Sequence, residues 1–193
     1  MSKWSDYYKN RVNNAEYLDY FQSHYSQFLF VLWSYIQRMP TNRVVSLREE
    51  GCGIGTVSKI ISNLFPKGIK IKCTDLDRHM LKLATVNCNQ IRSPRLQFKR
   101  EDLLQNRKEE KVDIIFSHGV LEHFTDHEIT KILNRQRKEA KYVIHYVPTN
   151  RYKTPSFGDE RLLTIGKWEE FGPFSALSSN EGKDLTLIWK GVK

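Results

Sequence analysis

The chain has 193 residues, a formal net charge of +9 and 39% hydrophobic residues, which suits one folded domain with a real core and excludes a disordered tail. No apolar run approaches the roughly 20 residues of a membrane span, and the first six residues lack a signal-peptide core, so a cytoplasmic protein without a membrane partner is expected. Cys52, Cys73 and Cys88 are odd in number and share no C-x-x-C unit, and the six histidines lack ligand-type spacing, so neither a disulfide framework nor a metal is expected.

In chain order, the first forty residues crowd Tyr7, Tyr8, Tyr17, Tyr20, Phe21, Tyr25, Phe28, Phe30, Trp33 and Tyr35 into two helical stretches, roughly 4–20 and 24–39, closed by Pro40. The β-branched run at Val44 begins a buried strand that passes through Arg48, Glu49 and Glu50 into three alternate glycines, Gly51, Gly53 and Gly55. A helix over 56–64 follows, then an alternating strand from Ile69 to Asp75 and a helix over 78–89. Residues 96–100 and 112–116 read as two more strands, 126–137 as a helix, and 141–147 as a strand ended by Pro148. A short helix around Trp168 and Glu169 precedes two last strands, near 173–179 and 184–190. Strands alternating with helices predict an α/β fold with a mostly parallel sheet.

The glycine loop carries the chemistry. Residues without side chains let a ligand lie against the main chain, and Glu49 leaves a carboxylate at the strand's carboxyl end, where open α/β sheets bind ligands. A dinucleotide fingerprint would need a third glycine at Thr56 or Ser58, and a phosphate-cradling P-loop would need G-x-x-x-x-G-K-[ST]; neither is present. Asp75, ending the second strand, has the placement of a ribose-binding acid. A helix N-cap is the plain alternative for it, and that job is left to Asp77.

The pattern E-x-G-x-G-x-G over 49–55 resembles motif I of the class I S-adenosylmethionine-dependent methyltransferases, and further motifs follow in the family's order. Ala84 and Asn87 match the helix after the ribose acid, and Ser117-His118-Gly119-Val120-Leu121-Glu122-His123-Phe124 is similar to a segment shared by many small-molecule members. Phe157-Gly158-Asp159-Glu160-Arg161-Leu162-Leu163-Thr164 with Trp168-Glu169-Glu170 is similar to a segment bordering the acceptor pocket in one subgroup. The likeness covers about residues 40–192. It implies a Rossmann-like seven-stranded sheet, mostly parallel with one antiparallel strand and flanked by helices. It also implies a single methyltransferase domain over 1–193, with 1–40 a helical lid and 41–193 the core.

What the resemblance implies about the site is specific. Glu49 reaches the amino end of S-adenosylmethionine, and Gly51, Cys52, Gly53 and Gly55 pass beneath its methionine part. Asp75 and Leu76 meet the ribose, Asp102 the adenine amine, Leu103 the ring, and Ser117 with His118 lines the cofactor. A turn carboxylate is the plain alternative for Asp102. The lid helix would supply Tyr8 and Arg11. Methyl transfer needs alignment and water exclusion above all; where an acceptor proton must leave, His118 and His145 are the candidate general bases. Arg48 and Glu50 depart from the family's apolar pattern, and pairing of Arg48 with Glu50 or Glu49 would offset their burial. A small-molecule acceptor is expected, with S-adenosylhomocysteine as coproduct. The +9 charge leaves RNA or DNA open as the acceptor, protein is a further alternative, and so is a cofactor-fold module without catalysis.

Overall fold

The computed structural model describes residues 3–65, 68–89, 95–105, 110–155 and 159–192. Its seven strands form one sheet in the order β3-β2-β1-β4-β5-β7-β6. The chain divides into two compact units, Met1–Gln105 and Asn106–Lys193.

The first unit begins with α1 (Lys3–Tyr8), a 3₁₀ turn (Lys9–Arg11), α2 (Ala15–His24) and α3 (Ser26–Gln37). The helix expected over 4–20 is therefore broken. Asn13 adopts φ 53°, a left-handed conformation that asparagine tolerates, and Asn14 caps α2 by accepting the Tyr17 N–H at 2.9 Å. Strand β1 (Val45–Glu50) feeds the glycine loop and α4 (Thr56–Leu64); β2 (Ile69–Asp75) feeds α5 (Arg78–Asn87); β3 (Leu96–Arg100) follows. All three strands are parallel, with Glu49 opposite Cys73 and Asp75 opposite Arg100. Alternation decides the faces: Val45, Leu47 and Glu49 point one way, Ser46, Arg48 and Glu50 the other. Helix α5 buries Met80, Ala84 and Asn87, an i, i+4, i+7 stripe. No helix lies between β3 and the next strand among the described residues.

The second unit holds β4 (Val112–His118), α6 (Asp126–Glu139), β5 (Ala140–Pro148), α7 (Ile165–Glu169), β6 (Ser175–Ser179) and β7 (Asp184–Lys190). Strands β4 and β5 are parallel, and β7 runs antiparallel to both β5 and β6. This is the fold class that the sequence implies. Strand β4 buries Asp113 through Ser117 without a break, as expected of a strand covered on both faces. Asp113, at the end remote from the loops, pairs with Lys141 at 3.1 Å. Helix α6 opens with a reciprocal capping box between Thr125 and Glu128 and buries Ile129, Ile132, Leu133 and Gln136 on one face. Its Lys131 and Lys138 are exposed, while Arg135 reaches the buried Glu139 at 3.8 Å.

Candidate functional site

In the first unit, the loop after β1 is built from main chain. Gly51, Gly53 and Gly55 all take positive φ (71°, 55° and 72°). Gly55 is the tightest: a Cβ there would lie 3.1 Å from the Cys88 sulfur and 3.5 Å from Ala84. The Cys52 N–H donates to the Thr74 carbonyl at 2.8 Å, which lashes the loop to β2. All three cysteines are buried free thiols, and burial pushes the Cys52 and Cys73 thiols well up.

Asp75 organises the loop as well as facing it. One carboxylate oxygen accepts the Gly53 N–H at 2.8 Å and the other accepts the Asp77 N–H at 2.9 Å. Burial raises its pKa, against these two bonds. The cap on α5 falls to Asp77, which accepts the His79 N–H at 2.7 Å. Each Asp75 oxygen keeps a lone pair for a ligand hydroxyl.

The two glutamates of β1 separate cleanly. Glu49 is buried on the face toward α4, where the Ser58 hydroxyl donates to its Oε2. Desolvation pushes its carboxyl up to about 8, with the Asp75 charge adding to the rise. Glu50 points the other way and pairs with Arg48 at 3.1 Å, both side chains fully buried. The choice between them is thereby made: Glu49 belongs to the glycine loop and Glu50 to the ion pair. Ser58 was not singled out by the sequence, although it follows Gly55 by less than one helical turn.

Asp102 sits in the turn after β3, where its Oδ1 accepts the Leu104 N–H at 2.9 Å; it and Leu103 are half-buried. The neighbouring Glu101 is claimed by Lys72 at 2.8 Å and Lys99 at 2.9 Å. Leu76 is 56% exposed.

Arg11 lies over the Tyr7 ring, 3.6 Å from its centroid, and donates to the Tyr7 carbonyl. Tyr8 packs between Trp4, Tyr7 and Tyr17, and burial among them raises its hydroxyl pKa. Both residues thus make their contacts inside the aromatic cluster. Asn13 reaches the loop region, its N–H donating to Asn87 Oδ1 and its Oδ1 accepting from Lys59.

In the second unit, the Ser117 hydroxyl donates to His145 Nδ1 at 2.6 Å, and His145 Nε2 donates to Gln136 Oε1 at 2.9 Å. His145 is fully buried, with Trp189 edge-on at 5.8 Å. His145 thus has a buried protein partner at each ring nitrogen. Ser117 likewise turns its hydroxyl inward. His118, next along, is half-exposed and stacks flat on Tyr146, 4.2 Å between ring centroids and 8° between planes. The Tyr146 hydroxyl in turn donates to the buried Asp184 at 2.6 Å. Glu122 is buried under the same loop; desolvation pushes its carboxyl up to about 8. Arg161 ties the later motif to this loop, its N–H donating to the Glu122 carbonyl at 2.9 Å and its guanidinium to Phe124 and Asp126. Phe157 and Gly158 of that motif lie outside the described residues.

Fold and loop together define a Rossmann-like domain with a main-chain cradle for a nucleoside cofactor. Residues 49–141 match the family model described as "Methyltransferase domain". The malonyl-[acyl-carrier protein] O-methyltransferase of Bacillus anthracis is 31% identical over 90 residues, covering 47% of this chain; the matched stretch spans 32% of that protein. The PH0226 protein of Pyrococcus horikoshii superimposes with a TM-score of 0.75 at 15% identity, covering 97% of this chain and 99% of that one. The magnesium protoporphyrin IX methyltransferase of Synechocystis, solved with bound S-adenosylhomocysteine, gives 0.66 at 14% identity, covering 91% and 86%. The family model thus covers a little under half of the chain, and the chain spans about a third of the length of the curated relative it matches.

Proposed function

We propose that this chain is an S-adenosylmethionine-dependent methyltransferase acting as a single catalytic domain on a small-molecule acceptor. The observation that carries the reading is the pair of carboxylates at the glycine loop, buried Glu49 and half-buried Asp75, with Asp75 accepting the loop's Gly53 N–H. The residues present fit the cofactor: Glu49 for its ammonium group, Gly51, Cys52, Gly53 and Gly55 beneath its methionine chain, Asp75 and Leu76 at the ribose, and Asp102 and Leu103 at the adenine. The Bacillus and Synechocystis relatives, a methyltransferase by name and one solved with S-adenosylhomocysteine, support the same cofactor here.

When bound, the sulfonium supplies an already activated methyl donor. The chain's part is to hold the acceptor in line and exclude water, while His118 takes the acceptor proton at an imidazole nitrogen. Stacking on Tyr146, itself held by Asp184, fixes the plane of that ring. The test is release of S-adenosylhomocysteine, followed by mass spectrometry, over a pooled set of carboxylate, phenol and amine acceptors. Acceptor-dependent release that His118→Ala abolishes supports the proposal; release with no acceptor in the pool, or none with any, refutes it. The charge of +9 favours nucleic acid as the competing acceptor class, and salt-sensitive methylation of RNA in the same assay would establish it.

A further inference from the structure

Asn87 is an amide buried at the end of α5, and it connects two segments far apart in sequence. Its Nδ2 donates to the Ile54 carbonyl at 2.9 Å, inside the glycine loop. Its Oδ1 accepts the Asn13 N–H at 3.0 Å and the Lys59 ammonium at 3.1 Å. The same ammonium lies 3.4 Å from Asn13 Oδ1. Asn13 offers that N–H only because its backbone stands at φ 53°, at the break between the 3₁₀ turn and α2. The N-terminal segment is thus fastened through Asn13 to Asn87 and Lys59, beside the loop that follows β1.

We infer that Asn87 is a positioning residue of the cofactor loop, whose amide makes the seating of residues 13–17 and the geometry at Ile54 a single event. A carbonyl that must point away from a ligand lying on the main chain is held there by the Nδ2 donor. That donor is oriented in turn by the two groups on Oδ1, because an amide satisfied on both ends cannot flip. Release of the Asn13 segment leaves a buried acceptor half-satisfied, and the loop loses its restraint along with the lid. The inference rests on the reading that this loop holds the cofactor.

The test uses calorimetry with S-adenosylhomocysteine together with tryptic cleavage at Lys9 and Arg11, in the full chain and in Asn87→Ala and Lys59→Met. The expected result is that ligand slows cleavage of the unsubstituted chain at those sites. Each variant then binds about tenfold more weakly and loses that ligand-dependent protection, in line with a buried hydrogen bond left unmade. Should Asn87→Ala fail to fold, the milder Lys59→Met carries the same test. Variants that melt earlier yet keep both affinity and protection would overturn the inference, since that is what a merely structural amide does. An unsubstituted chain silent toward the ligand would instead overturn the cofactor reading, and the inference with it.

Discussion

The protonation of Glu49 gives the cofactor reading a quantitative handle. Burial pushes the carboxyl up to about 8 in the ligand-free protein, against an ordinary value of 4.5. At pH 7 it is therefore about nine-tenths protonated, while pairing with the cofactor's ammonium group requires the ionised form. Binding must then release close to one proton at pH 7. Affinity for S-adenosylhomocysteine should tighten about tenfold per pH unit on the acid side, by roughly 50-fold between pH 6 and pH 8, and level off above pH 9. The stability of the ligand-free protein moves the opposite way. A carboxyl raised from 4.5 to about 8 contributes its stability below pH 4.5 and loses it as pH climbs through 8; Glu122 adds a parallel loss. Calorimetry in two buffers of different ionisation enthalpy, at pH 6, 7, 8 and 9, measures both proton release and affinity. Glu49→Gln should bind weakly, release no proton and show a flat profile. An affinity independent of pH, or a heat independent of buffer, would refute the assignment of Glu49 to the ammonium group.

Four other outcomes are expected. Gly55→Ala should lose about 1–3 kcal/mol in urea unfolding, because φ 72° is strained for alanine and its Cβ would stand 3.1 Å from the Cys88 sulfur. Asp75→Ala should weaken S-adenosylhomocysteine binding at least a hundredfold by titration, since it strands the Gly53 and Asp77 N–H groups along with any ribose hydroxyl. Arg48→Met should cost roughly 3–5 kcal/mol by taking the guanidinium from the buried Glu50, and Arg48→Met with Glu50→Leu should recover most of it. His118→Ala should lower kcat by about 10²–10⁴ with an unchanged melting temperature.

Much of the site was legible because it is written in local patterns. Alternate glycines after a β-branched run marked the loop, and an acid closing the next alternating strand marked Asp75. The spacing of Asp75 and Asp77 separated a loop-facing carboxylate from a helix cap. Strand parity could also have chosen between the glutamates, since Glu49 shares the side of Val45 and Leu47 while Glu50 shares that of Arg48. What stayed hidden depends on burial and long-range contact. His145 lies in a strand buried from Val143 to Pro148, a run whose continuity hints at an interior histidine, but its partners Ser117 and Gln136 come from β4 and α6. The aromatic spacing of the first forty residues runs smoothly across Asn13 and Asn14, so it masked the break that presents the Asn13 N–H to Asn87. Tyr8 and Arg11 were reasonable choices by type and position, and their mutual packing with Tyr7 and Tyr17 is a tertiary outcome that no window of sequence displays.

The central claim is that the hollow between β1 and α4 holds S-adenosylmethionine, and photo-crosslinking with the radiolabelled cofactor followed by peptide mapping tests it most directly. Label confined to peptides carrying residues 49–55, 75–76 or 102–103, and displaced by excess S-adenosylhomocysteine, is the result this account predicts. Label on an intact folded chain that is absent, or spread without competition over peptides remote from the loop, would contradict it.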